Sequence, residues 1–448
     1  MRTALALLLS LVIAFCGLLG WTNAQLQQQA CDVTVTATTL AGDPAAAAGI
    51  QVTSYAHYLD HLFWSATYPA DNPQAIRTDY GFSQNGWHEI YKDVEYFQLG
   101  VVNGGGWSSN SSIEDMVPDS FLQLLKKIQA DIPSVVDEEN NTVVDLSRYT
   151  DHFPLEVSIG STSSLFLEIT EEQLLEVLES YFFIPVPEGT RATVRLEELE
   201  NGMLSGCSLS LNGDLSINSQ SIVREDAVFF TLIPEGSEGV QLDTSYIPGG
   251  LGVYRLSGNS LEDLSLTTLY SLPDGVRPLR FFEGPEGDDS LYLLSLEEDT
   301  LYFTQLDGES GQPRVRLPLF PWIEDRYIRA VLWGENCLAI FSETGPFAVL
   351  VPDGQGGWQV DFTGDQSAQQ DQYGYLISWN YSLLYDGDRL AVVGRLPTPQ
   401  QGNNYSLSVY DRDGLAYLGV YRSSLPGQVS PLYHDSPSHV LSWSETPS

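Results

Sequence analysis

Short runs in which apolar and polar residues alternate dominate this chain, and Gly, Asp, Pro or Asn bounds nearly every one. A period of two is the pattern of half-buried strands, and the bounding residues are those that turns require. The clearest unit is residues 405–421, YSLSVYDRDGLAYLGVY, in which two such runs flank Asp411-Arg412-Asp413-Gly414. It predicts a strand, a tight turn with glycine at a positive-φ position, and a returning strand. The unit recurs about every 50 residues. Residues 291–296 and 301–306, the turn Asp307-Gly308 and residues 315–317 form one copy. Residues 337–341 and 347–351, the turn Asp353-Gly354 and residues 358–362 form a second, and residues 390–394 with 405–421 a third. A further strand precedes each, at 279–282, 327–333 and 375–379, and an earlier copy fits 227–233, 252–256 and 264–270. Four strands per repeat is the signature of a β-propeller blade, because one such sheet cannot bury both faces until neighbours cover them.

The expected fold is therefore mainly β, a β-propeller of about five to seven blades over residues 203–448. A half unit at 440–443 asks for completion by strands nearer the N-terminus, either 207–211 with 215–217 or strands within 33–107. Residues 111–202 have a different texture and predict a small α+β module, inserted in the propeller or preceding it. One helix is expected over 118–130, with Pro118 in its first turn and Phe121, Leu122, Leu124, Leu125 and Ile128 on one face. A second starts at Thr170, where Thr170-Glu171-Glu172-Gln173 is a capping box. Strands are expected at 142–146, 155–159, 165–169 and 193–196. Residues 50–110 are rich in aromatics and predict short strands that are part of the propeller or lead into it. Residues 25–49, Gln-rich and then small, read as a flexible lead with a strand at 33–40.

Charge changes the picture next. The chain carries 59 acidic and 20 basic residues among 448, a formal net charge of −39. A field of that sign repels phosphate backbones and argues against nucleic acid as partner. Arg2, the apolar run 4–19 and Thr22-Asn23-Ala24 compose an export signal cut before Gln25, so residues 1–24 are expected to leave and the protein to be extracellular or at the cell surface. The same run is near the lower length for a membrane span, and membrane contact depends on its retention. Cys16 leaves with the signal. Of the remaining three, Cys337 reads as a core thiol, and the pairing to test is Cys31 with Cys207.

The repeat rhythm, above all VYDRDGLAYLGVY, resembles that of exported bacterial β-propeller proteins of unknown function. The resemblance covers about residues 220–448. It implies a fold and a compartment, and no activity.

Candidate chemistry is sparse. His57 and His61 are four apart and would share a face on a helix, as a metal pair does. Asp386-Gly387-Asp388 and Asp411-Arg412-Asp413 could place carboxylates together for Ca²⁺, although hairpin turns use Asp and Gly for their own geometry. Residues 351–358 keep the Asp-to-Trp spacing of the Asp-box found in sialidase-type propellers, without its Ser/Thr. Asn110, Asn140, Asn380 and Asn404 begin N-glycosylation triplets. No nucleophile elbow, phosphate loop, dinucleotide fingerprint or zinc-protease motif occurs, so catalytic residues stay unassigned and no cofactor is expected. The function expected is that of a non-catalytic binding or scaffold protein presenting loops to a protein, peptide or glycan. The alternative is a secreted glycan-active hydrolase or lyase with an acidic axial pocket.

Overall fold

The computed structural model describes residues 2–58, 61–82, 96–102, 106–108, 113, 117–132, 141–160, 169–198, 203–211, 216–235, 247–322, 327–343, 345–367, 378–395, 404–426, 428–429 and 439–444. The chain is mainly antiparallel β and forms two compact units, residues 1–92 with 323–448, and residues 93–322. The strand expected at 165–169 and the triplets at Asn110 and Asn140 fall largely or wholly outside the described residues.

Among the described residues, the first unit holds three sheets. In the first sheet, Ile50–Tyr58, Leu62–Pro69 and Arg77–Phe82 follow one another, and Gln428–Val429 and His439–Trp443 both pair with Ile50–Tyr58. The second is a four-strand meander of Ile328–Trp333, Leu338–Ser342, Pro346–Pro352 and Trp358–Asp365. The third runs Ser378–Tyr385, Leu390–Arg395, Asn404–Asp411 and Gly414–Ser423, with Val35–Gly42 added at its outer edge. The half unit at the C-terminal end thus takes its partner from the 33–107 stretch, with Ile50 opposite Trp443 and Ser54 opposite His439. Within the lead expected at 25–49, the N-terminal helix α1 (Arg2–Asp32) runs on to Asp32, and the strand expected at 33–40 is present as Val35–Gly42. Gly414–Ser423 would otherwise leave a row of backbone donors and acceptors open, and Val35–Gly42 pairs with it.

Buried apolar side chains lie between the sheets, as their alternation requires. Ala339, Phe341, Phe347, Val349 and Phe362 of the second sheet pack with Leu383, Leu390, Val392 and Tyr410 of the third. Two glycines make room for rings on the strand opposite. A Cβ at Gly364 would lie 2.3 Å from Phe347 Cζ, and one at Gly81 2.4 Å from Phe63 Cζ, each directly across the ladder. Cys337 is buried in the same core, and burial pushes its thiol up to about 11, as an inert core thiol requires.

Among the described residues, the second unit also holds three sheets. Arg277–Glu283, Leu291–Glu297, Thr300–Leu306 and Pro313–Pro321 form a four-strand meander like that of the second sheet. A six-stranded sheet is ordered Ser265–Ser271, Gly252–Ser257, Ala227–Glu235, Ser216–Val223, Phe97–Val101 and Leu155–Ile159. A smaller one joins Gly106–Ser108, Leu204–Leu211, Arg191–Glu198 and Thr142–Asp145. Against these pack α2 (Asp119–Asp131), through Phe121, Leu122, Leu124, Leu125 and Ile128, and α3 (Glu171–Tyr181), through Leu174, Leu175 and Leu178. The capping box of α3 is formed on both sides. Gln173 N donates to Thr170 Oγ1 at 3.2 Å, and Thr170 N donates to Gln173 Oε1 at 3.1 Å. Cys31 is an exposed thiol in α1, and Cys207 is a buried thiol on Leu204–Leu211, so the tested disulfide is not formed.

Candidate functional site

The hairpins of the second and third sheets end in turns built on aspartate. Asp386 accepts from the backbone N–H groups of Asp388 (3.0 Å) and Arg389 (2.7 Å) through Oδ1, while Oδ2 takes Arg389 Nε at 3.1 Å and Nη2 at 3.0 Å. Burial, the largest single influence on this carboxyl, would raise its pKa. The backbone donors and the Arg389 guanidinium outweigh it, and the pKa lies below the ordinary carboxylate value. Asp411 Oδ1 accepts from Asp413 N at 2.9 Å, and Asp353 Oδ1 from Gln355 N at 2.7 Å and Gly357 N at 2.9 Å. Gly387, Gly414 and Gly354 sit at φ of 96°, 122° and 76°, backbone that only glycine adopts without strain.

The 386–388 and 411–413 turns are brought side by side, and a cation does lie between them. It is the guanidinium of Arg412. Its Nη1 donates to Asp361 O at 2.6 Å and its Nη2 to Gly387 O at 2.7 Å, with Nη2 3.6 Å from Asp361 Oδ2. Tyr385 Oη donates to the same Asp361 carboxylate and to Gly387 O at 3.0 Å. Arg412 therefore ties the last hairpin of the third sheet to the outer strand of the second. Of Asp411-Arg412-Asp413, it is the arginine that reaches the neighbouring sheet.

The histidines are held apart from these turns in sequence and in structure. His57 is buried on Ile50–Tyr58, its ring 6.3 Å from that of Phe63, whereas His61 is exposed in the turn that follows. The segment is a β-hairpin, so the shared helical face does not exist. No group of three or more His, Cys, Asp or Glu side chains able to hold a metal ion occurs among the described residues.

Two further features carry chemistry. A seam of hydroxyls and one imidazole is buried between the first and third sheets. Tyr68 Oη meets Tyr405 Oη, Ser54 Oγ lies 3.3 Å from Tyr68 Oη, and His439 Nδ1 lies 2.9 Å from Ser54 Oγ. Tyr417 Oη is 3.0 Å from Tyr421 Oη, which donates to Ala70 O at 2.7 Å, and the Tyr405 and Tyr421 rings stack 5.0 Å apart. Burial pushes Tyr68 up to about 12 and pulls His439 down to about 3. These groups are buried and hold the packing of the two sheets together. The second feature is aromatic. Trp333 closes the first strand of the second sheet, and Trp358 opens its last strand straight after the Asp353 turn. Both are half-buried, with rings 5.6 Å apart and inclined at 59°. In the other unit, Glu156 lies opposite Gly100 on Phe97–Val101, and burial raises its pKa above the ordinary carboxylate value.

No protein-family model matches the chain, and no curated protein matches it. Among solved structures, the N-terminal domain of Nup159 is similar at 11% identity and a TM-score of 0.25, over 73% of this chain and 68% of that one. A GH43 β-1,3-galactosidase is similar at 12% identity and 0.22, over 57% of this chain and 92% of that one. A GH43 protein from a Bacteroides ovatus xyloglucan locus is similar at 13% identity and 0.21, over 58% and 56%. Likenesses of this size carry no argument about activity or partner.

Proposed function

We propose that the chain is an exported, non-catalytic β-propeller that binds a protein, peptide or glycan at the turn end of its sheets, with Trp333 and Trp358 as the anchor. Its antiparallel four-stranded sheets would serve as blades. The observation that carries the reading is a contrast at that end of the second and third sheets. The carboxylates of Asp353, Asp386 and Asp411 are spent on their own turns, and the Asp361 carboxylate is held by Tyr385. On the same second sheet two large rings are only partly buried. Acids so engaged are poor nucleophiles or bases, whereas tryptophan gives the largest contact area for the least loss of side-chain freedom.

The test is binding of the purified protein to glycan and peptide arrays, followed by titration of each hit with Trp333→Ala and Trp358→Ala. Each substitution should weaken binding at least tenfold while leaving the circular dichroism spectrum unchanged. Hits that both variants bind as well as the parent would refute the reading. A second reading, the secreted glycan hydrolase or lyase, is favoured by one observation, the raised pKa of Glu156, which suits a general acid.

A further inference from the structure

We infer that α1 is retained in the mature protein and anchors it to a bilayer, with the last turns of the helix docked on the first unit. The inference is independent of the binding reading. The helix is continuous from Arg2 to Asp32, straight through the expected cleavage site after Ala24. Its two halves have opposite surroundings. Leu11, Ile13, Phe15, Leu18 and Trp21 are 58–64% exposed. Beyond them, Asn23, Leu26 and Ala30 fall on one face at spacings of three and four. Asn23 Oδ1 accepts from Tyr80 Oη at 2.6 Å, fastening the helix to the edge strand Arg77–Phe82 of the first sheet. Leu26 and Ala30 pack against the core that holds Val33, Ile50, Trp64 and Tyr405.

Three consequences follow. Processing enzymes cut flexible or extended backbone, and here the scissile bond lies in a helix pinned on either side, by Asn23 before it and Leu26 after it. The undocked half is an apolar surface too large to leave in water, and its length selects the occupant. Residues 4–21 span about 27 Å at about 1.5 Å per residue, close to the hydrocarbon thickness of a membrane. Trp21 then falls at the boundary where amphipathic rings collect, just before the polar run Asn23–Gln29. Arg2 is the only basic residue before Arg77, so the positive flank keeps the N-terminus inside and sends the sheets out.

The experiment expresses the full chain in an export-competent bacterial host and separates membrane from medium. Intact mass of the carbonate-washed membrane protein should show residues preceding Gln25, and protease added to whole cells should digest the sheets. A mature N-terminus at Gln25 with release into the medium would overturn the inference, as would sheets shielded from external protease. Leu26→Asp supplies the second arm, because undocking the helix end should expose the bond and raise the fraction cut after Ala24 several-fold. If that variant stays as intact as the parent, docking is not what protects the bond.

Discussion

Lowering the pH from 7.5 to 5.0 should remove about 2 kcal/mol of stability from the unit that contains His439, and that loss should vanish when His439 is replaced by Gln. His439 is fully buried on the last strand, with Nδ1 2.9 Å from Ser54 Oγ and its ring 4.4 Å from that of Tyr405. Burial pulls its pKa from 6.5 to about 3, because the charged ring would give up its hydration. The folded pKa is thus depressed below the unfolded one. The unfolded chain binds the proton first, stability is complete above about pH 6.5, and it falls as the pH drops towards 3. At pH 5.0 the unfolded chain gains about RT ln(1 + 10^1.5), or about 2 kcal/mol, while the folded state gains almost nothing. This figure needs only that the folded pKa lie well below 5. Urea unfolding at both pH values, read by the near-ultraviolet signal of the stacked tyrosines, gives the difference for parent and His439→Gln. The chain has six histidines, few enough for their ring carbon signals to be followed by NMR, and one of them should not titrate down to about pH 4. Parallel losses in parent and variant, with all six rings titrating near 6.5, would refute the reasoning.

Arg412→Ala should lower stability by about 1 kcal/mol, discounted because the side chain is half-exposed, and Arg412→Lys should not restore it, since one ammonium cannot reach both Asp361 O and Gly387 O; thermal melts of the three proteins decide this. Glu156→Gln should raise the melting temperature at pH 7 by sparing the cost of a half-buried charge, and the gain should disappear below about pH 4, where the parent carboxyl is neutral too. If Glu156 is instead the general acid of a hydrolase, the same variant abolishes release of reducing sugar from whichever glycan the parent cleaves.

What could be read from the sequence was whatever lies close along it. The hairpin within 405–421, the repeat of four-strand units and the capping box at Thr170 depend on residues a few positions apart, where alternation and turn chemistry speak directly. The docking of the C-terminal half unit was narrowed to two partners and no further, because register across a long separation follows from which face each strand must bury. The seam between Tyr68 and Tyr405 joins residues 337 apart, and nothing in either neighbourhood marks its tyrosines as partners. The Trp333–Trp358 pair escaped for the same reason, being the first and last strands of one sheet. His57 and His61 would share a face only on a helix, and the alternation around them makes a hairpin.

The arginines show how so acidic a chain holds its sheets together. Arg412 donates to Asp361 O and Gly387 O, Arg389 to Ala46 O and Ala48 O, and Arg224 to Asp289 O and Ser290 O. Each reaches from a hairpin turn to two backbone carbonyls that lie elsewhere in its unit. Carbonyl oxygens do not titrate, so these straps persist when acid neutralises the carboxylates around them, and salt screens them less than it screens exposed ion pairs. Protonating the acids also relieves the repulsion of a chain at −39, which favours the compact state. Between pH 7.5 and 5.0 the straps are unchanged and the repulsion eases. A loss of stability in that window is therefore expected from a group that gains charge on unfolding, and the fully buried His439 is such a group in the first unit.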